Sequence, residues 1–425
     1  MKLGEVIKIK HGFAFKGEYF TDEETGLAVL TPGNFTLTGG FKETAKFYDS
    51  TDFPEEYILT SGDLIVTMTD LSKEADTIGY AALVPENKNH KYLHNQRIGL
   101  VTVYNSDFEK EYIYWLMRSP NYQRTIANSS NGATVHHTSP DKIYKYRFEK
   151  KAKVIQKRIA CILSRYDSLI ENNNKRIKTL EQMAENLYKE WFVRFRFPGH
   201  ENTEFVDSKM GKIPVGFSVK KMQDVISRYI GGGWGNDEED RDYVVKAYVI
   251  RGTDFPNVKK GNLSSCPYRY HKKSNYKSRE LHDMDIVLEV SGGTAEQPVG
   301  RTLLVTQDTI DRLGGQVICA SFCKQIQLNK NEVSPYYYYY WMNYLYDTRI
   351  IDRFQLQSTG IINFQFEYFV KKCEILLPSK ELMQRFDQLI IPIYNSISAL
   401  SKQNENLIKQ RDLLLPRLMS GKLEL

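Results

Sequence analysis

Two spacings of apolar residues divide this chain. Through residues 3–150 the spacing is short. Leu27–Leu30, Leu64–Met68 and Ile98–Val103 are Val, Ile and Leu runs of strand length between Gly-, Pro- and Asn-rich turns. A short helix is predicted over Phe108–Arg118, where Tyr112, Trp115 and Leu116 share a face. From about Val154 the period changes. Ile155, Ile159, Ile162, Tyr166, Leu169, Asn173, Leu180, Met183 and Leu187 follow a 4-3 spacing with a polar gap at Arg176, and no Pro or Gly intervenes before Pro198-Gly199. This predicts a helix of about 37 residues, roughly 55 Å long at ~1.5 Å per residue. Its apolar stripe is too long and too narrow to be covered by one domain, so it needs a partner helix.

The same order of elements occurs twice. Leu3-Gly4-Glu5-Val6-Ile7, Gly12 and Phe15 are echoed by Met222-Gln223-Asp224-Val225-Ile226, Gly231 and Trp234, at a constant offset of 219. Gly62-Asp63-Leu64-Ile65-Val66 is answered by Met284-Asp285-Ile286-Val287-Leu288, Gly79 by Gly300, Tyr112-Ile113-Tyr114-Trp115 by Tyr338-Tyr339-Tyr340-Trp341, and Gly132 by Gly360. The offset grows only to 228, the drift that loop insertions give. Residues 197–216, with Pro198-Gly199-His200 and Lys212-Ile213-Pro214, read as a linker, and a second mixed unit covers 217–377. A second long helix runs from Lys380 to about Ser420, with a kink expected over 388–391 ahead of Pro392.

The expected fold class is therefore α/β: two repeated mixed α/β domains, 1–150 and 217–377, joined by a long antiparallel two-helix coiled coil formed by 151–196 and 378–425. The seam of the first helix is read as Ile159, Ile162, Tyr166, Leu169, Leu180 and Leu187. That of the second is read as Phe386, Leu389, Ile393, Leu400, Leu407 and Leu414. Asn173 and Asn404 fall in or beside these stripes, where a buried amide fixes register at some cost in stability. Antiparallel pairing would set the two domains at opposite ends of a rod. Binding surfaces ~40–55 Å apart would span about 12–16 base pairs of duplex at ~3.4 Å each, so helix length would set an unread spacer.

Composition adds less. With 41% hydrophobic residues in 425, the chain is long enough for two cores. A net charge of +6 suits a nucleic-acid binder without requiring one. The five cysteines form no CxxC pair, and their odd number points to a reducing cytosol. No apolar run approaches membrane-spanning length and no signal peptide is evident, so a cytoplasmic chain with no membrane contact is expected.

Enzyme signatures are missing: GxxxxGK[ST], HExxH, GxSxG and Asn/Asp-Pro-Pro-Tyr are all absent, and no metal-ligand cluster is seen around His136-His137 or Cys319 and Cys323. Gly231-Gly232-Gly233-Trp234-Gly235 reads as a flexible loop, because the acidic run Asn236–Asp240 behind it would repel phosphate. Tyr336–Tyr340 reads as core. The stronger candidates are basic and aromatic. Pro267–Arg279 packs five Lys or Arg and three Tyr into thirteen residues without an apolar period, and Lys88–Arg97 is comparable in the first domain. The candidate DNA contacts are Lys73, Lys91, His94 and Arg97 in the first domain, with Arg251, Arg269, Lys272, Lys273, Lys277 and Arg279 in the second. The loops Thr69–Thr77 and Glu289–Gln297 differ although their flanks correspond, as reading two unlike half-sites would require.

Several of these segments together resemble the DNA specificity (S) subunit of type I restriction–modification enzymes, over essentially the whole length. They are Gly12-Phe13-Ala14-Phe15-Lys16, Gly62-Asp63-Leu64, Gln156-Lys157-Arg158-Ile159-Ala160, Leu180-Glu181 to Trp191-Phe192, Gly211-Lys212-Ile213-Pro214-Val215-Gly216-Phe217 and Leu418-Met419-Ser420-Gly421-Lys422. Arg147-Phe148-Glu149-Lys150-Lys151 departs from the Ile-Pro-Leu-Pro-like run usual there, which the second copy keeps as Ile375-Leu376-Leu377-Pro378. The resemblance implies two target-recognition domains that bind a split, asymmetric double-stranded DNA sequence, and two methyltransferase (M) subunits carried on the helices. It implies no cofactor on this chain: S-adenosylmethionine belongs to the M subunits, which flip the target adenine, and ATP and Mg to a restriction (R) subunit. The alternative of another class is a coiled-coil interaction scaffold without specific DNA binding.

Overall fold

Two of the short apolar runs, Leu64–Met68 and Ile98–Val103, pair within a four-stranded sheet whose strand order recurs in the second half of the chain. A computed structural model describes all residues except 38, 44–45, 71–75, 133–134, 295–296, 359–360 and 424–425. The chain divides into a first unit, Met1–Ile170 with Asn406–Leu425, and a second, Glu171–Glu405. In the first, strands Ile7–His11, Ile98–Val103, Leu64–Thr67 and Ala81–Leu83 stand in that order, each antiparallel to its neighbour. In the second, Ile226–Gly231, Cys323–Leu328, Ile286–Glu289 and Thr302–Leu304 repeat the order and sense.

Two of the three pairings repeat residue by residue, and the third departs at a bulge between Ile226 and Arg228, which advances the second copy by one residue. Ile7 faces Val103 as Ile226 faces Leu328. Ile98 faces Thr67 as Cys323 faces Glu289, and Leu64 faces Leu83 as Ile286 faces Leu304. A one-residue slip would turn every side chain to the wrong face, so the shared register preserves one burial pattern in two sequences. Each unit also has a parallel pair in a second sheet, Leu27–Val29 with Lys91–Leu93 and Tyr243–Ile250 with Val317–Cys319.

Two glycines mark the same close approach. The Phe13 amide donates to the His94 carbonyl at 2.8 Å and the Gly233 amide to that of Cys319 at 2.9 Å. A Cβ on Gly12 would lie 2.2 Å from the Asn95 oxygen, and one on Gly232 2.1 Å from that of Ala320. Gly232, one residue beyond the Gly231 expected from sequence, is thus the partner of Gly12. The loop read at Gly231–Gly235 runs from Gly232 to Gly235, and its backbone is anchored. Gly231 ends a strand, Gly232 and Gly233 are hydrogen-bonded through their amides, and Gly235 takes a positive φ of 73° against the Tyr270 carbonyl.

The first core gathers Leu3, Ile7, Tyr112 and Trp115 against Ile159 and Leu163 of one long helix and Leu415 and Leu418 of the other. The second gathers Tyr337, Tyr338, Phe369 and Phe386 with Tyr188, Trp191 and Phe192. Tyr336–Tyr340 are all buried, as read from sequence. The expected linker carries a hairpin instead, Phe205–Ser208 paired with Gly211–Pro214, with Phe205, Val206 and Met210 exposed.

The long helices span Lys153–Tyr188, extended by a wider π turn over Lys189–Val193, and Lys380–Met419. The second continues through Pro392, which sits on the exposed face with Gln388, whose carbonyl loses its amide donor. Five of the six residues in each expected seam are at least half-buried. Ile159, Phe386 and Leu400 are buried, and Ile162, Tyr166, Leu180, Leu187, Ile393, Leu407 and Leu414 are half-buried. Leu169 and Leu389 are corrections, since each is 48% exposed. The second column of the seam lies one residue further along, at Gln156, Leu163, Ile177 and Ala184 in one helix and Ile390, Ile397, Asn404, Arg411 and Leu418 in the other. The polar gap at Arg176 disappears because Ile177 fills it.

Polar groups fix these seams. In the second unit Asn173 donates to Asn404 at 2.9 Å and to Gln403 at 3.1 Å, while Asn404 donates to Asn174 at 2.9 Å. A shift of either helix by one turn would leave these amides buried without partners. In the first unit Asp167 receives Arg118 at 2.6 Å and Arg411 at 2.5 Å, both guanidinium groups being almost wholly buried. Arg118 also lies 4.3 Å from the centre of the Trp115 ring.

Replacing Asp167 by Asn should remove the carboxylate that two buried guanidinium groups share, Arg411 keeping Asp412 at 2.8 Å, and destabilise the first unit by roughly 1.5–3 kcal/mol. Urea titration should show an earlier first transition, and an unchanged curve would contradict the argument. Asp387, half-buried under Ser334, has its carboxyl pushed up to about 6 by desolvation, against the pull of the Ser334 hydrogen bond. The folded state thus holds this proton more tightly than the unfolded chain, whose carboxyl titrates near 3.8, and stability falls as pH rises from 3.8 through about 6. Asp387→Asn should raise the melting temperature at pH 7.5, with the gain fading to nothing below pH 4; a gain that persists in acid would refute the assignment.

Candidate nucleic-acid interface

The basic segment of the second unit is ordered secondary structure. Tyr268–Lys272 is a strand on the edge of Tyr243–Ile250, and Lys273–Arg279 is a short helix that buries Tyr276. Strand and helix thereby separate the cations by role. Arg269 is ion-paired with Asp237 and lies 4.4 Å from the centre of the Trp234 ring. Lys272 meets Asp242 at 3.2 Å, and this carboxylate draws its ammonium pKa upward. Arg279 donates to the Gly231 carbonyl at 3.0 Å and to Asn275 at 2.9 Å. The acidic stretch that seemed to oppose phosphate binding thus neutralises part of its own neighbour. Lys273 and Lys277 stay exposed, with no ion-pair partner among the described residues, beside Lys272, Ser274 and Asp242 at a shallow open surface.

Arg251 has a structural place. It forms a two-pronged pair with Asp254 at 2.9 Å and caps the Ser265 carbonyl at 2.7 Å, which closes the turn after Tyr243–Ile250. These bonds occupy the guanidinium edge that a phosphate or guanine would need.

In the first unit, His94 departs most from expectation. Its side chain is fully buried and Nε2 meets the Ile98 carbonyl at 2.9 Å. Burial lowers its pKa, so the ring is a neutral core group with no surface to offer a phosphate. Its strand position explains this: Lys91–Leu93 runs in parallel beside Leu27–Val29, and the chain then turns inward to meet Phe13. Lys91 and Arg97 are exposed, on opposite sides of that turn. Lys73 lies outside the described residues.

The loops singled out as unlike start from equivalent places. One residue beyond Leu64–Thr67, Thr69–Asp70 pairs with His136–His137. One residue beyond Ile286–Glu289, Ser291–Gly293 pairs with Ile361–Phe364. Asp70 accepts the Thr77 amide at 2.6 Å and its hydroxyl at 2.8 Å, tying the two ends of the first loop together. Sequence reading placed these loops but not the ladders beneath them, because strands of two to four residues have no readable period.

Nothing among the described residues forms a metal cluster, and no helix there is long and apolar enough to cross a membrane. Burial pushes the thiols of Cys266, Cys319 and Cys373 up to about 12, so they remain protonated and unreactive.

Residues 1–182 match the family model described as the type I restriction modification DNA specificity domain. The type I restriction enzyme MjaIX specificity subunit of Methanocaldococcus jannaschii is 25% identical over 325 residues, 74% of this chain and 69% of that protein. The putative type I restriction enzyme MjaX specificity subunit of the same organism is 23% identical, over 87% of this chain and 80% of that protein. Among solved structures, the type I restriction–modification S subunit from M. genitalium superposes with a TM-score of 0.54 over 99% of this chain and 95% of that one; at 12% identity this shows a common fold.

If Lys273 and Lys277 touch phosphate, reversing both (K273E/K277E) should weaken duplex binding on every sequence and flatten the salt dependence by about one to two units of log–log slope. The same change at Arg251 should instead lower the melting temperature. Filter binding across a salt series separates them, and equal affinity for K273E/K277E at low salt would remove this helix from the contact surface.

Proposed function

We propose that this chain, which belongs to the type I restriction–modification specificity-subunit family, reads a split, asymmetric duplex sequence with its two units and carries two methyltransferase subunits on its long helices. The observation behind this reading is the duplicated sheet, equal in strand order and, along the strands that lead to the loops, in register, from which unlike loops emerge at equivalent positions. An equal scaffold gives equal placement against a duplex. Unlike loops give unlike base preferences.

In this reading the chain performs no bond-breaking step. Binding and orientation are its work: exposed Lys91, Arg97, Lys273 and Lys277 supply phosphate contacts, and the loops supply discrimination. S-adenosylmethionine sits in the methyltransferase subunits, ATP and Mg in a restriction subunit, and adenine flipping belongs to the methyltransferases. The displaced seam supports the carrying role. Leu169 and Leu413 in the first unit, and Met183 and Leu389 in the second, remain exposed beside the buried columns. Apolar side chains along a helix surface suit helices of a partner.

The test is a selection from random duplexes by the full chain assembled with its methyltransferase subunits. Two different short motifs separated by positions without preference are expected. A single contiguous motif, or none, would refute the bipartite reading. A chain that assembles with the methyltransferases yet confers no preference would be the interaction scaffold instead.

A further inference from the structure

The two ladders beneath the unlike loops share more than position. Thr69 and Ser291 stand at the same place in the two units, each two residues past the sheet pair Thr67–Ile98 or Glu289–Cys323. Thr69 faces His137 across its ladder, and Ser291 faces Asn363. The next backbone bond is repeated too: the Thr138 amide donates to the Met68 carbonyl at 3.0 Å, and the Phe364 amide to that of Val290 at 2.9 Å. In both ladders the hydroxyl engages the residue opposite. Thr69 Oγ1 lies 3.3 Å from His137 Nδ1, and Ser291 Oγ donates to Asn363 Oδ1 at 2.7 Å.

Each hydroxyl occupies one end of its neighbour's polar group and leaves the other unspent. On exposed His137 this is Nε2. On half-buried Asn363 it is the Nδ2 amide, which has no hydrogen-bond partner among the described residues. The backbone at His137 is also fixed, by reciprocal bonds with Asn131 at 2.8 and 3.0 Å. A side chain held at one end, on a paired strand, with a single outward hydrogen-bonding atom, suits discrimination better than a mobile lysine, because its direction is set before binding.

We propose that His137 and Asn363 are base-reading residues, one for each half-site, held in place by Thr69 and Ser291 as positioning residues. The ligand of each is a base edge offering an acceptor: N7 or O6 of a purine, or O4 of thymine. This rests on the specificity reading above and adds to it which residues discriminate. It also separates the tasks, since neither residue is one of the lysines or arginines that give affinity on every sequence.

The experiment is the random-duplex selection with the assembled complex, using H137A, N363A, T69V and S291A, all first shown to melt like the parent. H137A should relax discrimination at one base pair of one half-site by roughly tenfold, with the other half-site and the salt slope unchanged. N363A should do the same in the other half-site. T69V and S291A should relax the same base pairs as H137A and N363A respectively, by less, which a merely structural role would not produce. Unchanged base preferences in H137A and N363A, or a uniform loss on all sequences, would overturn the inference while leaving the bipartite reading intact. A parent complex without preference would overturn both.

Discussion

The constraint on which the rest depends is that neither long helix can bury its apolar face within its own repeat. The first unit is completed by Asn406–Leu425, and the second begins at Glu171, midway along the first helix. Leu415 and Leu418 fill the first core, while Tyr188, Trp191 and Phe192 fill the second. Each unit is therefore folded only when a segment from the far end of the chain, or from the other repeat's helix, is in place. The polar locks sit on these shared segments, with Asp167 between Arg118 and Arg411 in one unit and the Asn173, Asn174 and Asn404 amides in the other. Apolar columns alone tolerate sliding by a turn; buried groups with directional partners do not.

Much of this was legible in sequence, for reasons that also explain the errors. Strands at Leu64–Thr67 and Ile98–Val103 were visible because buried strands are continuous apolar runs, and the helices because their period persists over many turns. The repeat was visible because the insertions fell in loops, apart from one bulged residue after Ile226, so the 222-residue offset from Leu64 to Ile286 reappears in the pairing. The seam was wrong at its edge because Leu169, Leu389 and Met183 are as apolar as the residues that are buried. Hydrophobicity gives a helix a stripe, but the partner decides its edges. Ile177 was passed over beside Arg176, and Arg411, a charge at a buried position, follows only from Asp167 across the seam.

The site residues were less legible, and charge was the reason. A count of Lys and Arg identifies a basic segment without revealing which cations are already spent. Asp237 lies more than thirty residues before Arg269, yet strand pairing joins them, and Asp254 closes on Arg251 within one turn. His94 looked like one more basic residue in a polar stretch, although the turn past Leu93 carries it inward. What remains exposed, Lys91, Arg97, Lys273 and Lys277, is a smaller and more scattered set than sequence suggested.

That reduction bears on how such a chain could be specific. Phosphate contacts are indifferent to sequence, so fewer free cations lower the affinity for all DNA and leave discrimination a larger share of binding. Discrimination is served by hydrogen-bonding groups whose direction is fixed by the fold, since a group that must be ordered on binding spends on ordering what it could have spent on choosing. The duplicated ladders meet that requirement with the same backbone and different side chains. Thr69 and Ser291 keep the hydroxyl, while the residue opposite changes from imidazole to amide. Duplication followed by change at one paired position is thus enough, physically, to turn two copies of one surface into two unlike readers without disturbing the sheet that aims them.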